Sequence, residues 1–182
     1  MNYHMIRSDD MLNGDGLRVV LFVSGCSHRC ADCHNPETWD KDSGKPFTEE
    51  SLAGILKELD NDYISGITFS GGDPLNENNV NSIYELISII KTMYEGKKTI
   101  WLYSGYTWNQ VFNTITTDGL DSERDNVINK RKQIVKMCDV FVDGRFNKEL
   151  ADVNCPWVGS TNQKVINVKE SLKKGEIVLW TT

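Results

Sequence analysis

Short apolar runs alternating with stretches of helical period constrain the fold of this chain more than any other feature. Leu17-Arg18-Val19-Val20-Leu21-Phe22-Val23, bounded by Gly14-Asp15-Gly16 and Ser24-Gly25, predicts a buried strand. Gly66-Ile67-Thr68-Phe69-Ser70, Thr99 to Tyr103 and Val140-Phe141-Val142-Asp143 predict further strands. Between them, Leu52, Ile55, Leu56 and Leu59 recur at i, i+3, i+4 and i+7, the stripe of a helix. Thr48 is its predicted cap, and Glu49 and Glu50 suit the positive end of its dipole. A second helix is predicted from about Asn79 to Tyr94, burying Val80, Ile83, Ile87 and Ile90, and a third over Val127 to Lys136. Lys164 to Val168 and Ile177 to Trp180 predict two late strands joined by a turn near Gly175. Strands alternating with helices mean βαβ units and a mostly parallel sheet. The chain has 182 residues, so only about four units fit, too few to close a barrel that needs roughly 250. The expected α/β fold is an open, partial (βα) barrel, one domain over residues 1–182.

Composition narrows the class of function. With 39% hydrophobic residues, 25% charged residues and only 4 prolines, the chain is a globule rather than a disordered or fibrous segment. Twenty Lys and Arg against 26 Asp and Glu leave a net charge of −6, which argues against nucleic acid as a partner. No membrane span is expected, because the run from Leu17 to Val23 is interrupted by Arg18 and falls far short of the roughly 20 residues a spanning helix needs. The segment Met1 to Arg7 lacks the apolar core of a secretory signal, so the expected location is the cytoplasm.

The cysteines carry the chemistry. Five are present, and three of them, Cys26, Cys30 and Cys33, fall within one short loop (residues 24–36) after the first predicted strand. An odd, clustered set is a poor disulfide framework and reads better as metal ligands. A lone zinc closes with four ligands, whereas three thiolates without an obvious fourth suggest a [4Fe–4S] cluster with one iron left open. Zinc stays open as an alternative, with His28, His34 or Cys138 as the fourth ligand. Cys138, at the end of an apolar-periodic stretch, reads as a buried structural cysteine; Cys155 is given no role.

In parallel sheets ligands sit at the carboxyl ends of the strands. The segments there are the cysteine loop, Gly71-Gly72-Asp73-Pro74 and Ser104-Gly105-Tyr106, and all three are expected to converge on one edge. Glycines at such a place allow close backbone approach to a ligand, with carbonyls free to accept from an ammonium group.

The cysteine spacing followed by Gly71-Gly72-Asp73-Pro74 resembles the radical S-adenosylmethionine (SAM) superfamily. Cys33-His34-Asn35 with Thr38-Trp39 is similar to the glycyl-radical-enzyme activases within it. Asn13-Gly14, Ser70 to Leu75, Trp101 to Tyr106, Val142-Asp143-Gly144 and Gly159 to Gln163 resemble, in order, the branch acting on anaerobic ribonucleoside-triphosphate reductase. The matches run from about residue 1 to 168. The resemblance implies that Cys26, Cys30 and Cys33 each ligate one iron of a [4Fe–4S] cluster. It implies that SAM chelates the fourth iron, that Gly72 meets its ammonium group, and that the backbone around Asp32, Cys33 and His34 borders its adenine. Chemistry would lie at cluster and SAM, with no catalytic side chain: one electron cleaves SAM to a 5′-deoxyadenosyl radical, which takes a hydrogen from a glycine. The implied partners are the large subunit of anaerobic ribonucleoside-triphosphate reductase and a flavodoxin-type electron donor.

The chain departs from the superfamily at Asp32, where an aromatic residue often stands, and from the branch at Val158, where Arg is common. Rival readings are an activase of pyruvate formate-lyase or another glycyl radical enzyme, a deazaguanine-forming synthase, and a non-catalytic zinc-binding module. Some features have plainer expectations. Asp73 is either an orienting carboxylate or a solvated turn residue, and Val142-Asp143-Gly144 either a site edge or a strand end. Lys130-Arg131-Lys132 and Lys173-Lys174 read as solvated faces, Trp101, Trp108 and Trp157 as packing residues, and His4 as having no evident partner.

Overall fold

The computed structural model describes residues 1–117 and 119–181. In chain order the elements are β1 (Asn2–Asp10), β2 (Arg18–Val23), β3 (Lys45–Pro46), α1 (Glu49–Leu59), β4 (Gly66–Gly71), α2 (Val80–Tyr94), β5 (Thr99–Tyr103), α3 (Trp108–Asn113), α4 (Ser122–Met137), β6 (Val140–Asp143), β7 (Lys164–Asn167) and α5 (Val168–Lys174). They build a 7-stranded sheet in the order β3-β1-β2-β4-β5-β6-β7. The centre, β2-β4-β5-β6, is parallel, as the alternation requires, and antiparallel pairs flank it on both sides. This is the open, partial-barrel arrangement expected from the sequence.

Register separates the two faces of the sheet. Leu21, Phe69, Leu102, Phe141 and Ile166 lie side by side across five strands. They belong to the buried cluster that also holds Ile55 and Leu59 of α1, Ile83 and Ile87 of α2, Ile134 of α4 and Val168 of α5. On the other face Val20, Thr68, Trp101 and Val140 form a row. Trp101, Val140 and Val142 make a separate small cluster there, joined by Trp157 and Trp180 rather than by helices. The helices therefore cover one face, and the other stays concave.

Beneath that concave row lies Arg18, which is fully buried. Its guanidinium donates to Thr68 Oγ1, Asp15 O, Thr99 Oγ1, Ile67 O and Thr99 O, all within 2.8–2.9 Å. None of the ion pairs among the described residues includes it. Burial accordingly lowers its pKa to about 10. Trp101 completes this floor, with Arg18 over its ring at 5.3 Å and Trp157 packed edge-on at 5.1 Å.

Local sequence signals explain most of the helices. Thr48 accepts from the Ser51 backbone and closes the start of α1, and Ile55 and Leu59 are buried on the predicted face. Asn79 begins α2 but does not cap it with its side chain. That amide instead donates to Ser24 O at 2.8 Å and Asp73 O at 2.9 Å. The helix start gives up a cap, and the loops at the strand ends gain a tie.

Other expectations are corrected. Lys164 to Val168 and Ile177 to Trp180 are not two strands joined by a turn: α5 intervenes, started by the Asn167 side chain and ended by Gly175 in the left-handed region at φ 73°. The segment around Leu179 adds only a single bridge to Ile166. The strand β1, read from sequence only as lacking a signal core, pairs along β2. The basic cluster is not a solvated face, since Arg131 donates to Leu75 O at 2.7 Å and stacks on Tyr106, while Lys130 covers Tyr84. His4 has a partner, the Ser43 hydroxyl at 2.8 Å. Cys138 is buried, as expected, with its thiol donating to Ile134 O. No helix among the described residues is long and apolar enough to cross a membrane.

Candidate cofactor site at the strand ends

The cysteine loop begins where β2 ends and is stitched at its base. Gly25 N donates to Thr38 O at 2.7 Å and Cys26 N to Trp39 O at 3.0 Å, which closes the loop on itself. Two further bonds, Gly72 N to Val23 O and Asp73 N to Gly25 O, both 2.8 Å, carry the β2–β4 pairing past the strands into the loop. Gly71 stands at φ 98°, and a Cβ there would come within 2.7 Å of the Phe22 backbone. At Gly72 a Cβ would meet the carbonyl oxygens of Gly25, Thr38 and Val23 at 2.8–3.0 Å. Side chains at either position would push the two loops apart, so the paired glycines are a steric requirement.

Above the concave face these loops enclose a cavity of about 340 Å³, within the range of small-molecule sites. Cys26, Cys30 and Cys33, all half-buried, line it together with His34, Gly72 and Ser104. The strand-end convergence expected from sequence is therefore present. Asp32 is not among the lining residues: it is exposed and paired with Lys148, and its backbone takes a left-handed φ of 53°. Arg29 shares that conformation at φ 47°. Two non-glycine residues in this region, flanking Cys30, are held there by their surroundings and mark a loop shaped for its task.

The sulfurs face backbone donors. Asn35 N donates to Cys33 Sγ at 3.4 Å. Burial pushes the Cys26 thiol up to about 11, and the backbone N–H groups of His28 and Arg29 oppose it. Cys30 is also raised, by burial and by Cys33, while Arg145 works the other way. N–H groups aimed at sulfur stabilise thiolates and set the potential of an iron–sulfur centre. Two buried donors in the lining, Trp39 Nε1 and the Tyr103 hydroxyl, have no hydrogen-bond partner among the described residues. Such groups fit a site completed by a polar ligand.

The donor set fits a cluster better than zinc. Among the described residues, no three His, Cys, Asp or Glu side chains converge on one point as a single-ion cage requires. A cubane spreads its thiolates over different irons, and a cavity lined by three cysteines suits it. The side chains considered as a fourth zinc ligand are engaged elsewhere. His28 is bonded to Asp73, His34 packs on Phe146 at 5.3 Å, and Cys138 is buried in the helix-covered core.

Asp73 is not a solvated turn residue, since it is 1% exposed. Its oxygens accept from Leu75 N, the Ser104 hydroxyl, Gly105 N and the His28 ring. Val142-Asp143-Gly144 proves to be both a strand end and a site edge. Asp143 is buried and accepts from Trp108 N and Lys164 N, while Gly144 lines the cavity. Burial raises the Asp143 carboxyl. Arg145 and Phe146 follow it into the lining and were missed from sequence, although the strand-end rule applied to β6 points to them.

Residues 12–166 match the family described as a 4Fe-4S single cluster domain. The anaerobic ribonucleoside-triphosphate reductase-activating protein of Escherichia coli (strain K12) is 37% identical over 171 residues, covering 93% of this chain and 100% of that protein. The protein of the same description from Enterobacteria phage T4 is 36% identical over 165 residues, covering 91% and 93%. That of Vibrio cholerae serotype O1 is 35% identical over 167 residues, covering 91% and 97%.

Proposed function

The chain belongs to the 4Fe–4S single-cluster family of anaerobic ribonucleoside-triphosphate reductase-activating proteins, and on that premise we propose that it activates such a reductase as a radical SAM enzyme. Its substrate is a glycine of the reductase large subunit, and the whole chain, residues 1–182, acts as one domain. The observation that carries this reading is the meeting of three cysteines, Gly72 and Ser104 around one cavity.

In this reading Cys26, Cys30 and Cys33 each hold one iron of a [4Fe–4S] cluster. A reduced [4Fe–4S] cluster held there would supply the one-electron chemistry for reductive cleavage of SAM and, through it, hydrogen abstraction from the target glycine. Everything else is the work of this chain's residues. Gly72 brings backbone close to the ammonium group of SAM, and the backbone at Cys33 and His34 borders its adenine, with Asp32 just outside the lining. Trp101 and Arg18, both fully buried, fill the interior of the concave face with packed side chains rather than solvent. The sheet's concave face remains open above, where the loop of a macromolecular substrate can reach in. The electron donor is of flavodoxin type and the location cytoplasmic, as the family resemblance implies.

Anaerobic reconstitution tests the reading. The protein is expected to turn brown and hold about four iron and four sulfide per chain. Mixed with reduced flavodoxin, SAM and the reductase large subunit, it should give the EPR doublet of a glycyl radical on the reductase. A doublet on pyruvate formate-lyase alone, or a colourless protein with one zinc, overturns the proposal.

A further inference from the structure

His28 stands out among the residues the reading above leaves without a role. It sits between two of the cysteines and lines the same cavity, and its ring meets Asp73 Oδ2 at 2.6 Å. Both side chains are almost fully buried, at 4% and 1% exposure. A carboxylate only accepts, so the His28 Nε2–H is the donor. The other Asp73 oxygen accepts from the Ser104 hydroxyl at 2.8 Å, and Gly105 N reaches Oδ2 at 3.3 Å. One carboxylate thus joins the cysteine loop, the end of β4 and the end of β5.

Packing is built around the same ring. Tyr106 meets it edge-on at 4.7 Å between centroids. A Cβ on Gly105 would lie 2.2 Å from His28 Cδ2. Gly105 has no left-handed φ, so it is a glycine for space rather than for conformation: any larger residue would displace the imidazole. Three features far apart in the sequence, His28, Asp73 and Ser104-Gly105-Tyr106, are therefore one device.

We infer that His28 is a positioning residue: through Asp73 it latches the loop of Cys26, Cys30 and Cys33 onto the ends of β4 and β5, so that cluster and SAM sites are held in register before either ligand arrives. This deepens the proposed function and rests on its reading of the cysteines as cluster ligands. Without the latch, the loop is still closed at its base by Thr38 and Trp39, but its cysteine-bearing part can drift relative to Gly72 and Ser104. The energetic logic is pre-organisation, in which order built into the fold is not charged against ligand affinity.

The test uses His28→Leu, which keeps bulk and removes the donor, and His28→Gln, which keeps an N–H near the Nε2 position. After anaerobic reconstitution, His28→Leu is expected to bind SAM about tenfold more weakly than the wild type. The change that SAM induces in the EPR spectrum of the reduced cluster should be lost or broadened. His28→Gln should return both to within about threefold of the wild type. A His28→Leu protein with wild-type SAM affinity and an unchanged spectrum overturns the inference. Hydrogen exchange on the metal-free full chain provides the second arm should His28→Leu fail to fold. Amides of residues 26–30 are expected to be as protected as those of 71–75, and rapid exchange in that loop overturns the latch. The exchange arm needs no iron. It decides the latch even where the wild type takes up no cluster, a result that would sink the proposed function instead.

Discussion

The two faces of the sheet are made by the same strands and differ in almost everything else. On one, Leu21, Phe69, Leu102, Phe141 and Ile166 form an unbroken aliphatic and aromatic row under helices. On the other, Val20, Thr68, Trp101 and Val140 stand above a buried guanidinium that makes no ion pair among the described residues. The first face is covered by the fold itself, so apolar contact is all it needs. The second is roofed by loops and leaves a cavity, so its polar groups are satisfied by one another or kept for a ligand. Alternate residues of one strand thereby serve different ends, stability on one side and binding on the other.

That division can be broken or sharpened by substitution. The largest effect is expected at the cavity: Cys30→Ala should drop the iron content from about four per chain to near none, read by iron and sulfide analysis. Removing iron from the wild type with a chelator should abolish SAM cleavage while leaving the far-ultraviolet circular dichroism of the sheet in place. Arg18→Met comes next. It leaves the Thr68 and Thr99 hydroxyls and the carbonyls of Asp15, Ile67 and Thr99 without their donor, at a cost of about 4 kcal/mol in chemical denaturation. Ile87→Ala, on the helix-covered side, should cost about 3 kcal/mol through cavity formation while SAM affinity stays within twofold. A larger loss of SAM affinity in Ile87→Ala than in Arg18→Met would show that the faces are not separate in function. The smallest effect is expected at Thr48→Ala, about 1 kcal/mol from the lost cap of α1, with cluster content and SAM binding untouched.

Much of the helix-covered face could be read in the sequence because its signals are local. The period of Leu52, Ile55, Leu56 and Leu59 and the cap at Thr48 act within a few residues, and the structure uses them where they stand. Signals were also present and misread at α5, where Asn167, Glu170 and Gly175 are a complete set of helix start and stop residues. The strand β1 gave little signal, since only Tyr3 and Ile6 reach the core and most of its other residues are half-buried or exposed. Arg131 looked like solvent-facing charge, and only the meeting of α4 with the loops after β4 and β5 sets it on Tyr106 and Leu75.

By itself the sequence determined that three thiols share one loop after a strand, that glycines end the next parallel strand, and that the chain forms an open βα fold. Those facts depend on spacing and periodicity, which are properties of neighbours along the chain. The tertiary structure alone decided that Asp73 is buried rather than solvated, that His28 serves it instead of a metal, and that Gly105 is small to admit that ring. These contacts span 45 and 32 residues of sequence. Only the parallel register of β2, β4 and β5 brings such distant positions to one edge, and no local pattern records it.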